Sequence, residues 1–302
     1  MYDCVIIGGG IAGLQAAIQL SRYKYNILVI DSNNGRSSEC NMYKNILGWT
    51  GGISGMELRE AGKKQAIMFG AQFYFGNVIV VKKEDDRFTI QTKDQRKFLS
   101  KTILFATGVK DRIPSDLHSM FHPFLGTFIY VCPDCDGYEV YQKRTIVVGS
   151  GEAGANMALT LRHWTKDLLY LNHEEQPISL HTKERLKEKG IPMIAEQVID
   201  LKSSKTFCQG VSLKSGKWIE TEKIFIAFGG NLVNSSLARQ LGVKVNESGH
   251  IEVNPRTKET NIKNVWAAGD VVAHSEQVTI AMGDGSQSAI WIHKRLKEMN
   301  DL

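Results

Sequence analysis

The amino-acid sequence predicts an α/β fold built around two dinucleotide-binding units, and three observations carry that reading. A strand, a Gly8-x-Gly10-x-x-Gly13 turn, a helix and a second strand ending in an acid open the chain. The same order recurs from Arg144, around Gly149, Gly151 and Gly154. Between the two stands Cys132-Pro133-Asp134-Cys135, followed at once by Asp136-Gly137-Tyr138-Glu139.

Tyr2 to Ile7 is a nearly continuous apolar run, as a strand buried on both faces requires. The three glycines permit a tight turn, close approach of backbone to a pyrophosphate and close helix packing, while the helix start supplies oriented N–H groups. A helical stretch follows over Leu14 to Ser21, then an apolar run from Asn26 to Ile30. That run ends at Asp31, 23 residues after Gly8 and placed to accept from ribose hydroxyls. Phe88 to Thr92 and Phe98 to Leu104 read as strands, and Ile103-Leu104-Phe105-Ala106-Thr107-Gly108 as a buried strand ending in small residues. The second unit runs from Arg144 to Val148, through its glycines and a helix past Ala158 and Leu161, to Leu168 to Leu171. Two more apolar strands end in glycine: Lys223 to Phe228 before Gly229-Gly230, and Asn264 to Ala268 before Gly269-Asp270. Alone, such an end is as consistent with a plain turn; three beside two fingerprints point to ligand binding.

At 302 residues, 42% hydrophobic and 23% charged, the chain has the size of two ordinary domains and the balance of a folded globular protein. Its start has neither the basic region nor the cleavage site of a signal peptide. No apolar run approaches the roughly 18 residues a membrane span needs. Five cysteines without a secretion signal point to a reducing compartment, so a cytoplasmic protein is expected. Residues 113–247 carry 15 Lys plus Arg and 15 Asp plus Glu, so the whole net charge of +5 lies in the flanking segments. That surplus is ordinary for solubility and can also attract an acidic partner. No basic run with interleaved aromatics suggests nucleic acid.

Two thiols two residues apart close a small disulfide, and the thiolate that opens it is the reactive species. A CxxC is also half a zinc site, but zinc needs four ligands, and Cys4, Cys40 and Cys208 are scattered singles. Redox use is therefore preferred, with no metal. His118 and His122 read as half-exposed surface residues, and Trp49, Trp164, Trp218, Trp266 and Trp291 as packing residues.

Together these motifs resemble the low-molecular-weight thioredoxin reductases, FAD-dependent members of class II of the pyridine nucleotide-disulfide oxidoreductases, over essentially the full length. The resemblance implies two Rossmann-like domains, the second inserted into the first. It assigns FAD to Gly8, Gly10, Ala12, Gly13 and Asp31, to Ala106 and Gly108, and to Gly269 and Asp270, with Gln277 and Val278 approaching the flavin ring. Asn45 and Gly48 in Tyr-Lys-Asn-Ile-Leu-Gly look like the family's Glu-Asn-Phe-Pro-Gly turn beside the flavin. It further implies that Cys135 lies nearest the isoalloxazine, that Cys132 attacks the substrate disulfide and that Asp136 is general acid and base. Asp136-Gly137 is also an ordinary turn pair. The expected architecture is a discontinuous FAD domain, 1–112 and 248–302, around a CxxC domain, 113–247, with hinges near Ile113-Pro114 and Glu247-Ser248. Homodimerisation is implied by the family alone.

By the same resemblance Gly149, Gly151 and Gly154 would hold a nicotinamide dinucleotide. Where the family has His-Arg-Arg, however, the chain reads Asn172-His173-Glu174-Glu175, with Ile178 in place of a later Arg. The arginines that hold an NADPH 2′-phosphate are missing, and Glu174 sets like charge against like. Either NADH is the donor, as the intact glycines favour, or nicotinamide no longer binds and another donor, such as an acidic ferredoxin drawn to the basic flanks, feeds the flavin. Gly35-Arg36-Ser37-Ser38 replaces the usual Gly-Gly-Gln-Leu, and Cys-Asp-Gly-Tyr-Glu stands between the reductases and relatives acting on small epidithiols. Thioredoxin or a small disulfide is the expected substrate. The leading reading is FAD-dependent reduction of a protein disulfide. Its alternatives are a flavin dithiol oxidase passing electrons to oxygen and a non-catalytic flavin redox sensor.

Overall fold

The computed structural model describes residues 1–300 and divides into two compact units. Met1–Ser38, Ile53–Lys110 and the chain from Leu232 onward form the first; Glu39–Gly52 and Asp111–Asn231 form the second. Asp301 and Leu302, the end of the expected FAD domain, lie outside the described residues.

In the first unit, Tyr2–Ile7 pairs in parallel with Ile27–Asp31 on one side and Lys97–Phe105 on the other, within a seven-stranded sheet. Gln72–Phe75 extends the sheet beyond Ile27–Asp31. Lys97–Phe105 has different neighbours along its length: its start pairs antiparallel with Arg87–Thr92, and Ile103 to Phe105 pair in parallel with Val265–Ala267. The register sets Ile7 opposite both Ile30 and Phe105, and Phe105 opposite Ala267. Gly8, Asp31, Ala106 and Ala268 therefore emerge together at the carboxyl edge of the parallel strands, where such sheets bind ligands. Alternation divides the core by face. Cys4 and Ile6 pack with the helices Ile11–Arg22 and Val278–Asn300 through Ala12, Ala16, Ala289 and Ile292. Val5 and Ile7 pack on the opposite face with Ala238, Val243 and Ile251.

That second cluster corrects the expected boundary at Glu247-Ser248. Residues 232–247 belong to the first unit, because Ala238 and Val243 complete its core and Leu232–Val233 pairs antiparallel with Val109–Lys110. Segment 39–52 moves the other way, into the second unit.

The second unit holds five parallel strands in the order Met193–Ile194, Leu168–Asn172, Thr145–Gly149, Lys223–Ala227 and Ile129–Tyr130. Ile146 and Val148 pack toward Leu117 and Phe121, while Val147 packs toward Ala155, Ala158 and Leu161 of the helix Gly151–Leu161. A separate antiparallel sheet joins Val198–Ser203, Cys208–Leu213 and Trp218–Glu220. The expected α/β class with two Rossmann-like units is borne out. The tryptophan reading is not wholly so: Trp266 is buried, but Trp49 and Trp218 are each 43% exposed and do not serve as core. Among the described residues no helix is long and apolar enough to cross a membrane.

Candidate active site

The first unit presents a cradle at its strand ends. Gly8 takes φ +107°, and a Cβ there would run into the Ala106 carbonyl; one on Gly13 would strike the carbonyl of Gly8. Strand, turn and helix thus approach more closely than side chains allow. Gly10 caps the helix Ile11–Arg22 with no side-chain hydrogen bond, which leaves its first amides for a phosphate. Ala12 packs beneath Gly269, which takes φ +77°, and Gly108 takes φ +62°.

Asp31 accepts from the Gly9 N–H at 3.1 Å and from Arg59 Nη2 at 2.7 Å. Buried Arg59 also donates to Asn33 Oδ1 and Ser37 Oγ. Arg36 Nη1 lies 3.1 Å from Asp270 Oδ2 and 2.6 Å from Glu276 Oε2. Gln277 immediately precedes the last helix, which opens at Val278. Sequence reasoning missed Arg59; Ser54 and Glu57 form a capping box that marks the start of its helix, but nothing local marks the arginine. Asn45 and Gly48 fall in segment 39–52, which groups with the second unit.

In the second unit Cys132 and Cys135 form a disulfide, with Cα atoms 5.3 Å apart. Cys132 caps the short helix Pro133–Asp136, its sulfur accepting from Cys135 N–H at 3.2 Å. Pro133 occupies a first-turn site where a missing N–H costs nothing. Asp136 donates its N–H to Cys132 O at 3.0 Å. Gly137 is buried, and a Cβ on it would collide with the Trp164 ring, so the turn after the cysteines is pinned. Burial and neighbouring Glu139 push the Asp136 carboxyl up to about 7, against the pull of Lys44 and Lys223. An acid so placed can give and take a proton near neutrality. His118 is exposed and His122 half-buried, their rings stacked 4.9 Å apart.

The second fingerprint is closely packed. A Cβ on Gly149 would strike the Ala227 carbonyl, and one on Gly154 the Tyr170 ring. Gly151 N–H is taken by Asn172 Oδ1 at 3.0 Å. A Cβ on Gly151 would lie 3.2 Å from Gln176 Cβ and 3.3 Å from Pro177 O. Glu174 is ion-paired with Arg112, which also donates to Phe228 O at 3.2 Å. Burial pushes the Glu174 carboxyl up, but hydrogen bonds from Arg112 and Ser150 outweigh it and hold the group below the usual range. Ile178, in the place of an arginine, joins the core.

The family profile described as pyridine nucleotide-disulphide oxidoreductase matches residues 2–285. The chain belongs to that family. The oxidoreductase is 30% identical over 304 residues to a thioredoxin reductase of Treponema pallidum, with 95% of each chain covered. It is likewise 30% identical over 304 residues to the 34.2 kDa protein in the rubredoxin operon of Clostridium pasteurianum, covering 97% of this chain and 96% of the other. The crystal structure of HlmI matches with a TM-score of 0.87 and 26% identity, over 99% of this oxidoreductase and 93% of HlmI. The oxidoreductase is thus a thioredoxin reductase-like flavoprotein enzyme acting on disulfides, and FAD and a nicotinamide nucleotide are the cofactors general to its family. The Gly8–Gly13 turn, the uncapped helix start and the Asp31 carboxylate fit an FAD.

Proposed function

We propose that this oxidoreductase reduces a protein disulfide, thioredoxin first among them, by exchange at Cys132 and Cys135 with Asp136 as acid and base. The carrying observation is the Cys132–Cys135 disulfide followed by a pinned turn whose half-buried Asp136 carboxyl is pushed up to about 7. In the reduced dithiol, Asp136 takes the Cys132 proton. The thiolate attacks one sulfur of the substrate disulfide, and a mixed disulfide forms as the first substrate thiolate leaves and is protonated by Asp136. Cys135, surrendering its own proton to Asp136, then attacks the Cys132 sulfur, frees the second substrate thiol and restores the Cys132–Cys135 bond. FAD, when bound, supplies the two electrons that reopen that bond. We assign its binding to Gly8, Gly10, Ala12, Gly13, Asp31, Asn45, Ala106, Gly108, Gly269, Asp270, Gln277 and Val278, a reading the cradle geometry of the first unit supports for its glycines and Asp31.

The Arg112-held Glu174 supports NADH over NADPH, since a carboxylate there repels a 2′-phosphate and accepts from a free 2′-hydroxyl. A second reading has its own support. The Gly151 N–H is already bonded to Asn172 and Gln176-Pro177 lies against the turn, which favours a fold closed to dinucleotides and a protein donor such as ferredoxin. The relative from a rubredoxin operon supports the same view. Cysteine usage supports the cytoplasm, and the family supports a homodimer.

Anaerobic mixing of the holoenzyme with NADPH or NADH, followed by oxidised-flavin absorbance, separates the donors. Bleaching by NADH with little by NADPH is the expected result. No bleaching by either, with prompt reduction by ferredoxin, selects the second reading. Cys132→Ser and Cys135→Ser are expected to abolish disulfide reduction; retained turnover in either would sink the exchange mechanism. Peroxide release without turnover of thioredoxin would select a dithiol oxidase instead.

A further inference from the structure

Two loops of the first unit meet the first turn of the helix Ile11–Arg22. One is the turn 35–38: a Cβ on Gly10 would sit 3.8 Å from Ser37 Oγ, which accepts from Arg59 Nη1 at 3.2 Å. The other is the loop 269–277, where a Cβ on Gly269 would come within 2.8 Å of Ala12 Cβ. Asp284 fixes that loop by accepting from Gly269 N–H at 3.1 Å. Arg36 joins the two, its Nη1 meeting Asp270 Oδ2 at 3.1 Å and Glu276 Oε2 at 2.6 Å. Glu276 is itself held: its Oε1 lies 3.2 Å from His250 Nε2, and His250 Nδ1 lies 2.8 Å from Ser248 Oγ.

One guanidinium thus stands against two carboxylates at the rim of the cradle. A diphosphate seated on the 8–13 turn would meet those carboxylates as like charge, a cost that grows where water is partly excluded. The side chains of Arg36, Asp270 and Glu276 are 22%, 21% and 28% exposed, so the pairing is partly desolvated yet still open to a further anion. We propose that Arg36 is the counter-ion of the FAD diphosphate, a binding residue that offsets Asp270 and Glu276 and takes part of the phosphate charge. The inference rests on the reading of the first unit as the FAD cradle. Arginine suits the task, because its permanently charged, planar fork matches carboxylate and phosphate oxygens alike. It stands in Gly35-Arg36-Ser37-Ser38, where the family usually has Gly-Gly-Gln-Leu, so this counter-ion is the chain's own device. Arg59 does not substitute for it, being committed to Asp31, Asn33 and Ser37.

A cation that merely tied the two loops together would depend on both ends of its ion pairs, and this difference sets the test. FAD affinity is measured by equilibrium dialysis of the full chain freed of flavin, at low salt. Arg36→Met is expected to raise the FAD Kd roughly ten- to a hundredfold, the worth of a charge-assisted hydrogen bond. Arg36→Lys, which keeps the charge and loses the fork, should lose less. Glu276→Gln should leave the Kd unchanged or lower it, and in the Arg36→Met background it should recover part of the loss, since it removes a repulsion. An unchanged Kd in folded Arg36→Met overturns the counter-ion. So does a Glu276→Gln protein that loses FAD as strongly as Arg36→Met, the outcome of a purely mechanical tie, and this arm decides the matter even where Arg36→Met does not fold. A native chain that takes up no FAD at all would instead defeat the cradle reading, and the inference with it.

Discussion

Asp284 ties three parts of the first unit together: it accepts from Gly269 N–H at 3.1 Å and sits 2.7 Å from Lys258 Nζ and 2.5 Å from His274 Nε2. Removing a buried partner leaves uncompensated charge, so Asp284→Ala is expected to cost about 3–5 kcal/mol in urea denaturation and to weaken FAD retention through the freed Gly269 turn. The hydrogen bond to Asp284 raises His274, so its contribution is full below 6.5 and lost as pH rises through the higher folded value. Burial pushes Asp284 up, but His274 and Lys258 outweigh it; its contribution is full above 3.8 and lost as pH falls through the lowered value. The pair thus stabilises most between 3.8 and 6.5. Asp136 behaves oppositely. An acid raised on folding favours the native state while protonated, and that advantage disappears as pH rises from 3.8 through about 7. Stability measured across that range in Asp136→Asn should lack this downward slope; a slope equal to the native protein's would refute the assignment.

At the level of elements, the close crossing of the first and last helices depends on one position. A Cβ on Gly285 would strike the Ala12 carbonyl, whereas one on Gly283 meets nothing. Gly285→Ala is therefore expected to destabilise by about 1–3 kcal/mol through forced separation. Gly283→Ala should stabilise by up to about 1 kcal/mol through helix propensity; thermal melts of the two variants moving in the same direction would contradict this packing. The same necessity made the fingerprints readable from sequence, because Gly8, Gly13, Gly149 and Gly154 each sit where backbone or a ring occupies the side-chain space. Strand ends at Ala106 and Ala268 were equally legible, being runs of local apolar pattern. The remainder depends on partners far along the chain, which local pattern does not encode. Arg59 finds Asp31, Lys44 finds Glu139, and Ala238 and Val243 find the sheet of the first unit. The grouping of segment 39–52 with the second unit likewise depends on distant partners, Leu125 and Glu139.

For the whole molecule, each unit has its own core, with Leu104 and Trp266 in one cluster and Leu117, Ile146 and Phe225 in others. Calorimetry of the apoprotein is expected to show two transitions. Added FAD should raise only the one belonging to the first unit, by about 2.7 kcal/mol at a hundred times its Kd; a single transition shifted as one would mean that the units unfold together. The ladder joining Val109–Lys110 to Leu232–Val233 has a consequence for ancestry. The strands flanking the longer of the second unit's two segments are immediate neighbours, so its 121 residues, Asp111–Asn231, make a cassette to which only Glu39–Gly52 is added from elsewhere in the chain. Recombination at those two points could exchange one redox module for another without rethreading the host sheet, a route by which the electron acceptor changes while the flavin cradle is inherited intact.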